Sequence, residues 1–203
     1  ASHGIGRALA KKLSKKYHII NIDIVENKMD KVDFYKCDLS DKSKLLKTIE
    51  KIKTNIDSLY ALINNAALFS SKSLEKQTLE EWENIISINL TAPYILSKEF
   101  ASMLKQSKGH IINISSTRAS MSEAGTEAYS ASKGGISSLT HALAITLSPD
   151  VKVNSISPGW INTNEEYLPT KVDNEQHPSG RVGTPDDIVD TVKFLLKNKG
   201  FIT

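Results

Sequence analysis

Ser2-His3-Gly4-Ile5-Gly6 opens the chain and runs directly into an amphipathic stretch from Gly4 to Tyr17. Two glycines at a helix entry let the backbone come close to a ligand, and the first helical N–H groups lack intrahelical partners. Such a turn suits a pyrophosphate. Next comes His18-Ile19-Ile20-Asn21-Ile22-Asp23-Ile24, a run of β-formers whose acid stands 17 residues after Gly6. An acid ending the strand after a glycine turn hydrogen-bonds an adenosine ribose and repels a 2′-phosphate, so Asp23 points to NAD ahead of NADP. Strand and helix patterns then alternate. Strands are expected at Phe34 to Leu39, Leu59 to Ile63, His110 to Ser116 and Val151 to Ser157; helices at Asp41 to Asn55, Glu80 to Leu90, Ala92 to Gln106 and Glu127 to Leu147. That alternation predicts an α/β fold with a doubly wound parallel sheet.

The chemistry concentrates in Thr126-Glu127-Ala128-Tyr129-Ser130-Ala131-Ser132-Lys133-Gly134-Gly135. Tyr129 and Lys133 lie four apart on a predicted helix, so phenol and ammonium share one face. A cation about 4 Å from a phenol, at an effective dielectric of about 20, is worth roughly 4 kcal/mol, or about three pKa units. The pair is therefore expected to bring the phenol into proton-transfer range. Tyr-x-x-x-Lys alone is common in amphipathic helices, and its weight here comes from its neighbours. Gly109-His110-Ile111-Ile112-Asn113-Ile114-Ser115-Ser116 reads as a buried strand that delivers a hydroxyl at its carboxyl end. Asn64-Asn65-Ala66-Ala67, Ser87-Ile88-Asn89-Leu90 and Pro158-Gly159-Trp160-Ile161-Asn162-Thr163 complete the set.

Taken in order, these segments resemble the short-chain dehydrogenase/reductase family, with its glycine-rich turn, N-N-A-G, catalytic Asn, catalytic Ser, Y-x-x-x-K and later P-G. The likeness covers essentially the whole chain. It implies a Rossmann-type sheet of strand order 3-2-1-4-5-6-7 in a single dinucleotide-binding oxidoreductase domain spanning 1–203. It also implies that the first and last strands are missing and the domain is cut short at both ends, so that residues 1–203 alone are expected to fold poorly. By resemblance Tyr129 is the general acid/base, Ser116 holds the substrate oxygen, Lys133 lowers the tyrosine pKa and binds the nicotinamide ribose, and Asn89 anchors a water leading to Lys133. Ser116 is preferred to Ser115 because the family separates its Ser and Tyr by thirteen positions.

The same likeness assigns Ser2, His3, Gly4, Ile5, Gly6, Asp23, Asp38, Leu39, Asn65, Ala66, Ala67, Tyr129, Lys133, Pro158, Gly159, Ile161 and Thr163 to the cofactor. Ala67 departs from the family's glycine, and His3 occupies a place where NADP-using members often carry Lys or Arg. Asp38 equally suits a helix-start acid. The implied reaction moves a hydride between a nicotinamide cofactor and a small secondary alcohol or ketone.

Two other readings compete. Ser130-Ala131-Ser132-Lys133 spells S-x-x-K, the nucleophile signature of penicillin-binding hydrolases, without that family's S-D-N and K-T-G partners. A non-catalytic NAD(P)-binding regulator on the same fold is the second.

A net charge of +3 over 203 residues implies neither a nucleic-acid nor a membrane partner. One cysteine, Cys37, excludes an internal disulfide and reads as a buried thiol in a reducing, cytoplasmic setting. The five histidines show no ligand spacing, so no metal is expected. The polar stretch Asn164 to Ser179 reads as a loop with little apolar surface, which leans towards a sugar or polyol substrate. Thr184, Pro185 and Asp187 start a last helix. Apolar residues beyond one stripe on the helices from Ala92 and Tyr129, including Ile136, Leu139, Leu143 and Leu147, with Gly134 and Gly135 permitting close approach, suggest a homodimer or homotetramer.

Overall fold

A computed structural model describes residues 1–203. Five parallel strands and seven α-helices alternate: α1 Gly4–Leu13, β1 Ile19–Asp23, β2 Val32–Lys36, α2 Lys42–Lys53, β3 Ala61–Asn64, α3 Leu79–Ile86, α4 Ala92–Gln106, β4 His110–Ile114, α5 Glu127–Leu147, β5 Lys152–Ile156, α6 Lys171–Glu175 and α7 Pro185–Lys197. No helix is long and apolar enough to cross a membrane.

β4 shows why the layers form. All five of its residues are buried, as expected of a strand covered on both faces. Ile111 packs with Leu45, Ile49, Leu96, Phe100 and Val153, beneath α2 and α4. Its neighbours Ile112 and Ile114 join Leu9 and Leu13 of α1 and Val189 and Val192 of α7 on the other side. Alternation along one strand thus sorts the helices into two layers. Asn113, fully buried, accepts from Asn64 Nδ2 at 2.8 Å and donates to Thr140 Oγ1 at 2.8 Å, so a polar ladder ties β3 and β4 to α5.

β1 pairs with β2 from Ile19↔Val32 to Asp23↔Lys36. β4 is flanked by β3, from Ala61↔His110, and by β5, from His110↔Lys152. In the family's numbering the observed order is 3-2 and then 4-5-6, as two separate sheets. The edges of β1 and β3 face a cavity of about 520 Å³ lined by Leu9, Ile20, Ile22, Leu62, Leu96 and Phe100. This is where a doubly wound sheet carries its first strand.

Several sequence expectations need correction. α1 ends at Leu13, with Ser14 as its cap, and Lys16 and Tyr17 close a turn onto the Leu13 carbonyl. The helix expected over Glu80 to Leu90 is regular only to Ile86; Ser87–Thr91 is a π turn. The polar segment after Asn164 is not all loop, since Thr170 and Asp173 form a capping box that starts α6. The proposed subunit face also changes. Ile136 and Leu147 are core residues, and Leu143 packs against that core. Gly135 serves contact within the chain, because a Cβ there would stand 2.7 Å from Leu90 Cδ2.

Candidate active site

The glycine turn, the N-N-A-A loop and the P-G turn converge. Gly4 has φ +47, which favours glycine, and a Cβ on it would lie 3.0 Å from Thr163 Cγ2. On Gly6 a Cβ would lie 2.9 Å from Asn65 Nδ2. The three segments thus close in around the amino end of α1, a cradle that could hold a dinucleotide's phosphates. His3 is the N-cap and makes no side-chain capping bond, so its imidazole is free at the rim. Ile5 packs with the core beneath, next to Leu9 and Leu13.

Asp23 closes this cradle from β1. Its Oδ2 accepts from Ser2 N at 2.8 Å, while Oδ1 accepts from Val25 N at 3.2 Å. Burial opposes its charge, and the backbone N–H groups of Ser2 and Val25 favour it. It stays an anion at neutral pH. Asp38 is exposed and spends Oδ1 on Ser40 N at 2.9 Å and Ser40 Oγ at 2.7 Å, the turn that leads into α2. Leu39 is half-buried and lines the cavity between the sheets. Ala66 and Ala67 are exposed, and Ile161 bridges to Gly183.

The second cluster forms where β4 ends. Ser116 caps the 3₁₀ turn Thr117–Ala119, its Oγ accepting from Arg118 N at 3.1 Å, and Thr117 N binds the Pro158 carbonyl at 2.9 Å. Ser115 is engaged elsewhere, its hydroxyl bonding the Lys133 carbonyl and Ser137 and so pinning β4 to α5. Of the two serines, it is Ser116 whose hydroxyl lies beside the Tyr129 phenol. The Tyr129 ring meets Phe69 edge-on at 5.1 Å.

Lys133 departs from expectation. Its ammonium, on a residue only 3% exposed, donates to Ile114 O at 2.7 Å and stands 5.6 Å from the Tyr129 ring centroid. Without a counter-ion, burial lowers its pKa to about 8. The tyrosine pKa is accordingly raised, not lowered: burial dominates, and the Ser116 hydroxyl and the Arg118 charge only partly offset it. The i, i+4 argument places the two residues on one face, but the long lysine stem reaches past the phenol to the end of β4.

Asn89 sits on the π turn and is almost fully buried. Its Oδ1 accepts from Leu68 N at 2.7 Å, and its Nδ2 donates to Leu68 O at 2.9 Å and to Ser132 Oγ at 3.0 Å. The side chain is thus a clamp joining the loop after β3 to α5. Widened π turns recur at functional sites because they re-aim one residue of a helix. Ser130, the rival nucleophile, bonds Thr126 Oγ1 at 3.1 Å and receives nothing from Lys133.

Sequence reading missed Phe69, Arg118 and the rim aromatics Trp160, Tyr167 and His177; the rings of the last two lie 5.9 and 6.2 Å from that of Trp160. Leu168 is 83% exposed beside them. The rim therefore offers more apolar surface than its polar composition implies.

The family model described as enoyl-(acyl carrier protein) reductase matches residues 1–203. The chain belongs to the short-chain dehydrogenase/reductase family. An uncharacterized oxidoreductase of Thermotoga maritima is 47% identical to it over 184 residues, 85% of this chain and 72% of that protein. A SCOR enzyme from Clostridium thermocellum, solved in its apo form, superposes with a TM-score of 0.91 at 39% identity, over 99% of this chain and 85% of that one. 4-Hydroxyisoleucine dehydrogenase complexed with NADH gives 0.89 at 31%, over 98% and 89%. The short-chain dehydrogenase/reductase fold accounts for both clusters lying at the carboxyl ends of the strands, where open α/β sheets take ligands.

Proposed function

We propose that residues 1–203 belong to one oxidoreductase domain that interconverts a secondary alcohol and a ketone, with Tyr129 as the proton acceptor and donor. The observation that carries this reading is the gathering of Ser116, Tyr129, Lys133 and Asn89 around the end of β4, beside the turn that meets Gly4 through Thr163. Ser2 to Gly6, Asp23, Asp38, Leu39, Asn65 to Ala67, Pro158, Gly159, Ile161 and Thr163 would hold the dinucleotide, and Tyr129 and Lys133 its nicotinamide end. When bound, the nicotinamide supplies the hydride acceptor for oxidation and the donor for reduction.

The chain's own part is orientation and proton traffic. Ser116 hydrogen-bonds the reacting oxygen. In oxidation the Tyr129 phenolate takes the alcohol proton; in reduction the phenol returns one. Because burial raises the Tyr129 pKa, the phenolate fraction grows across the alkaline range, and oxidation should speed up with pH. Lys133, with a pKa of about 8, can take up or release a proton nearby in that range. Asn89 positions this pair through Ser132, which also donates to the Tyr129 carbonyl at 2.7 Å.

For the cofactor we favour NAD. A carboxylate at the ribose end of the cradle disfavours a 2′-phosphate. Assembly as a dimer or tetramer through α4 and α5 is supported by exposed Tyr94 and Ile145 on those helices. Light scattering at micromolar concentration tests it, and a monomer alone would count against it.

Tyr129→Phe tests the central claim. It keeps the ring against Phe69 and removes only the hydroxyl, so turnover should fall by about 10²–10⁴ with NADH binding unchanged. A variant that keeps most of its turnover would place the proton transfer elsewhere.

A further inference from the structure

Arg118 stands two residues after Ser116, on the 3₁₀ turn that the Ser116 hydroxyl caps. The local geometry that aims the hydroxyl therefore also fixes the root of the arginine. Its guanidinium carries five N–H donors. One nitrogen donates to Met121 O at 3.0 Å and another pairs with the Glu123 carboxylate. Both partners lie on the rim between Ser116 and Tyr129. The arginine side chain is 30% exposed and that of Glu123 59%, so water reaches the pair, and an ion pair of that kind is weak and exchangeable.

The other rim charges are engaged elsewhere. Lys72 pairs with Glu81, Glu127 takes a bond from Gln77, and Lys133 is turned to Ile114 O. Arg118 is rooted on the turn that Ser116 caps, beside the end of β4. Met121, whose carbonyl it binds, is 66% exposed, and Phe69, against the Tyr129 ring, is 62% exposed. One exchangeable cation beside a proton-transfer group, set among apolar side chains, matches a short carbon skeleton that ends in an anion.

We propose that Arg118 is a specificity-determining residue that binds a substrate carboxylate in place of Glu123, so that the alcohol or ketone turned over is a small hydroxy or keto acid. The guanidinium can meet a carboxylate through two parallel N–H···O bonds, which fixes the distance from anion to reacting carbon. This inference rests on the oxidoreductase reading above.

The test is NADH-linked turnover on hydroxy acids of three to six carbons and on their neutral amides, in the parent, Arg118→Gln, Arg118→Lys and Glu123→Gln. The parent should prefer acid to amide by about 10-fold or more in kcat/KM, since a two-bond contact between guanidinium and carboxylate is stronger than one to a neutral amide. Arg118→Gln should collapse the preference by raising KM for the acids, with the amides moving far less. Arg118→Lys should recover part of it, and Glu123→Gln should lower KM for the acids. If Arg118→Gln does not fold, the Lys and Glu123 variants decide by the same acid-to-amide ratio. A parent indifferent to the carboxylate, or an Arg118 variant that loses both substrates equally, would make the arginine a brace of the rim and overturn the inference. Turnover that depends on Tyr129 but ignores Arg118 sinks this inference and leaves the oxidoreductase reading standing. No turnover on any alcohol or ketone sinks both.

Discussion

Lys133→Met should make the protein more stable at neutral pH while it abolishes turnover. The ammonium is buried, has no counter-ion and makes one bond, to the Ile114 carbonyl. Its pKa falls from 10.5 in the unfolded chain to about 8 in the folded one. Between those values the unfolded chain binds more protons than the folded chain, so stability rises with pH across that window. At about 1.4 kcal/mol for each pH unit of that window, the penalty is about 3 kcal/mol at pH 7, relieved by pH 10.5. Methionine keeps most of the stem's packing and removes the charge. The variant should therefore exceed the parent by up to about 3 kcal/mol at pH 7, or about 6–12 °C in Tm for a chain of this size. The excess should shrink towards zero near pH 10.5. Urea unfolding of both proteins at pH 7, 8, 9 and 10 measures it, and the difference between them cancels the other titrating groups. A difference that stays flat with pH, or a variant less stable at pH 7, would refute the reasoning.

Asp23→Ala should weaken NADH binding and narrow the discrimination against NADPH, read by fluorescence titration of both; a parent that prefers NADPH would shift the assignment to His3. Asn89→Ala removes three hydrogen bonds at roughly 1 kcal/mol each, so Tm should drop by about 6–12 °C and turnover should fall with it. Thermal unfolding within about 2 °C of the parent would deny the clamp its structural role.

Much of the fold is readable in the sequence because β1, β3 and β4 are short, mostly apolar runs, and β4 is apolar enough to require cover on both faces. The candidate site is readable for a different reason: Ser116, Tyr129 and Lys133 come from adjacent elements, so spacing along the chain carries their spacing in space. What is not readable depends on side-chain reach or on non-local partners. Periodicity places Lys133 on the face of Tyr129 but does not say that its ammonium travels on to Ile114. Asn89 finds Leu68, far away in sequence, and the π turn that aims it alters a helical pattern by a single residue. α6 is within reach, since Thr170-x-x-Asp173 is a capping box that the polarity of its surroundings conceals. Arg118 looks like an ordinary surface charge, because nothing in sequence tells an exposed arginine from one held beside a phenol.

The π turn at Ser87–Thr91 carries a consequence for how this chain tolerates change. Such a turn holds one residue more than the α-helical winding on either side of it. Deleting any one residue between Ser87 and Thr91 would remove the widened turn, and Pro93, which has no N–H to donate, would still interrupt the ladder between α3 and α4. The same deletion would rotate α3 by about 100° against α4 and carry Asn89 away from Leu68 and Ser132. Length at this point is therefore under tighter constraint than composition: neighbouring positions can exchange side chains, while the loss of one codon would break the site.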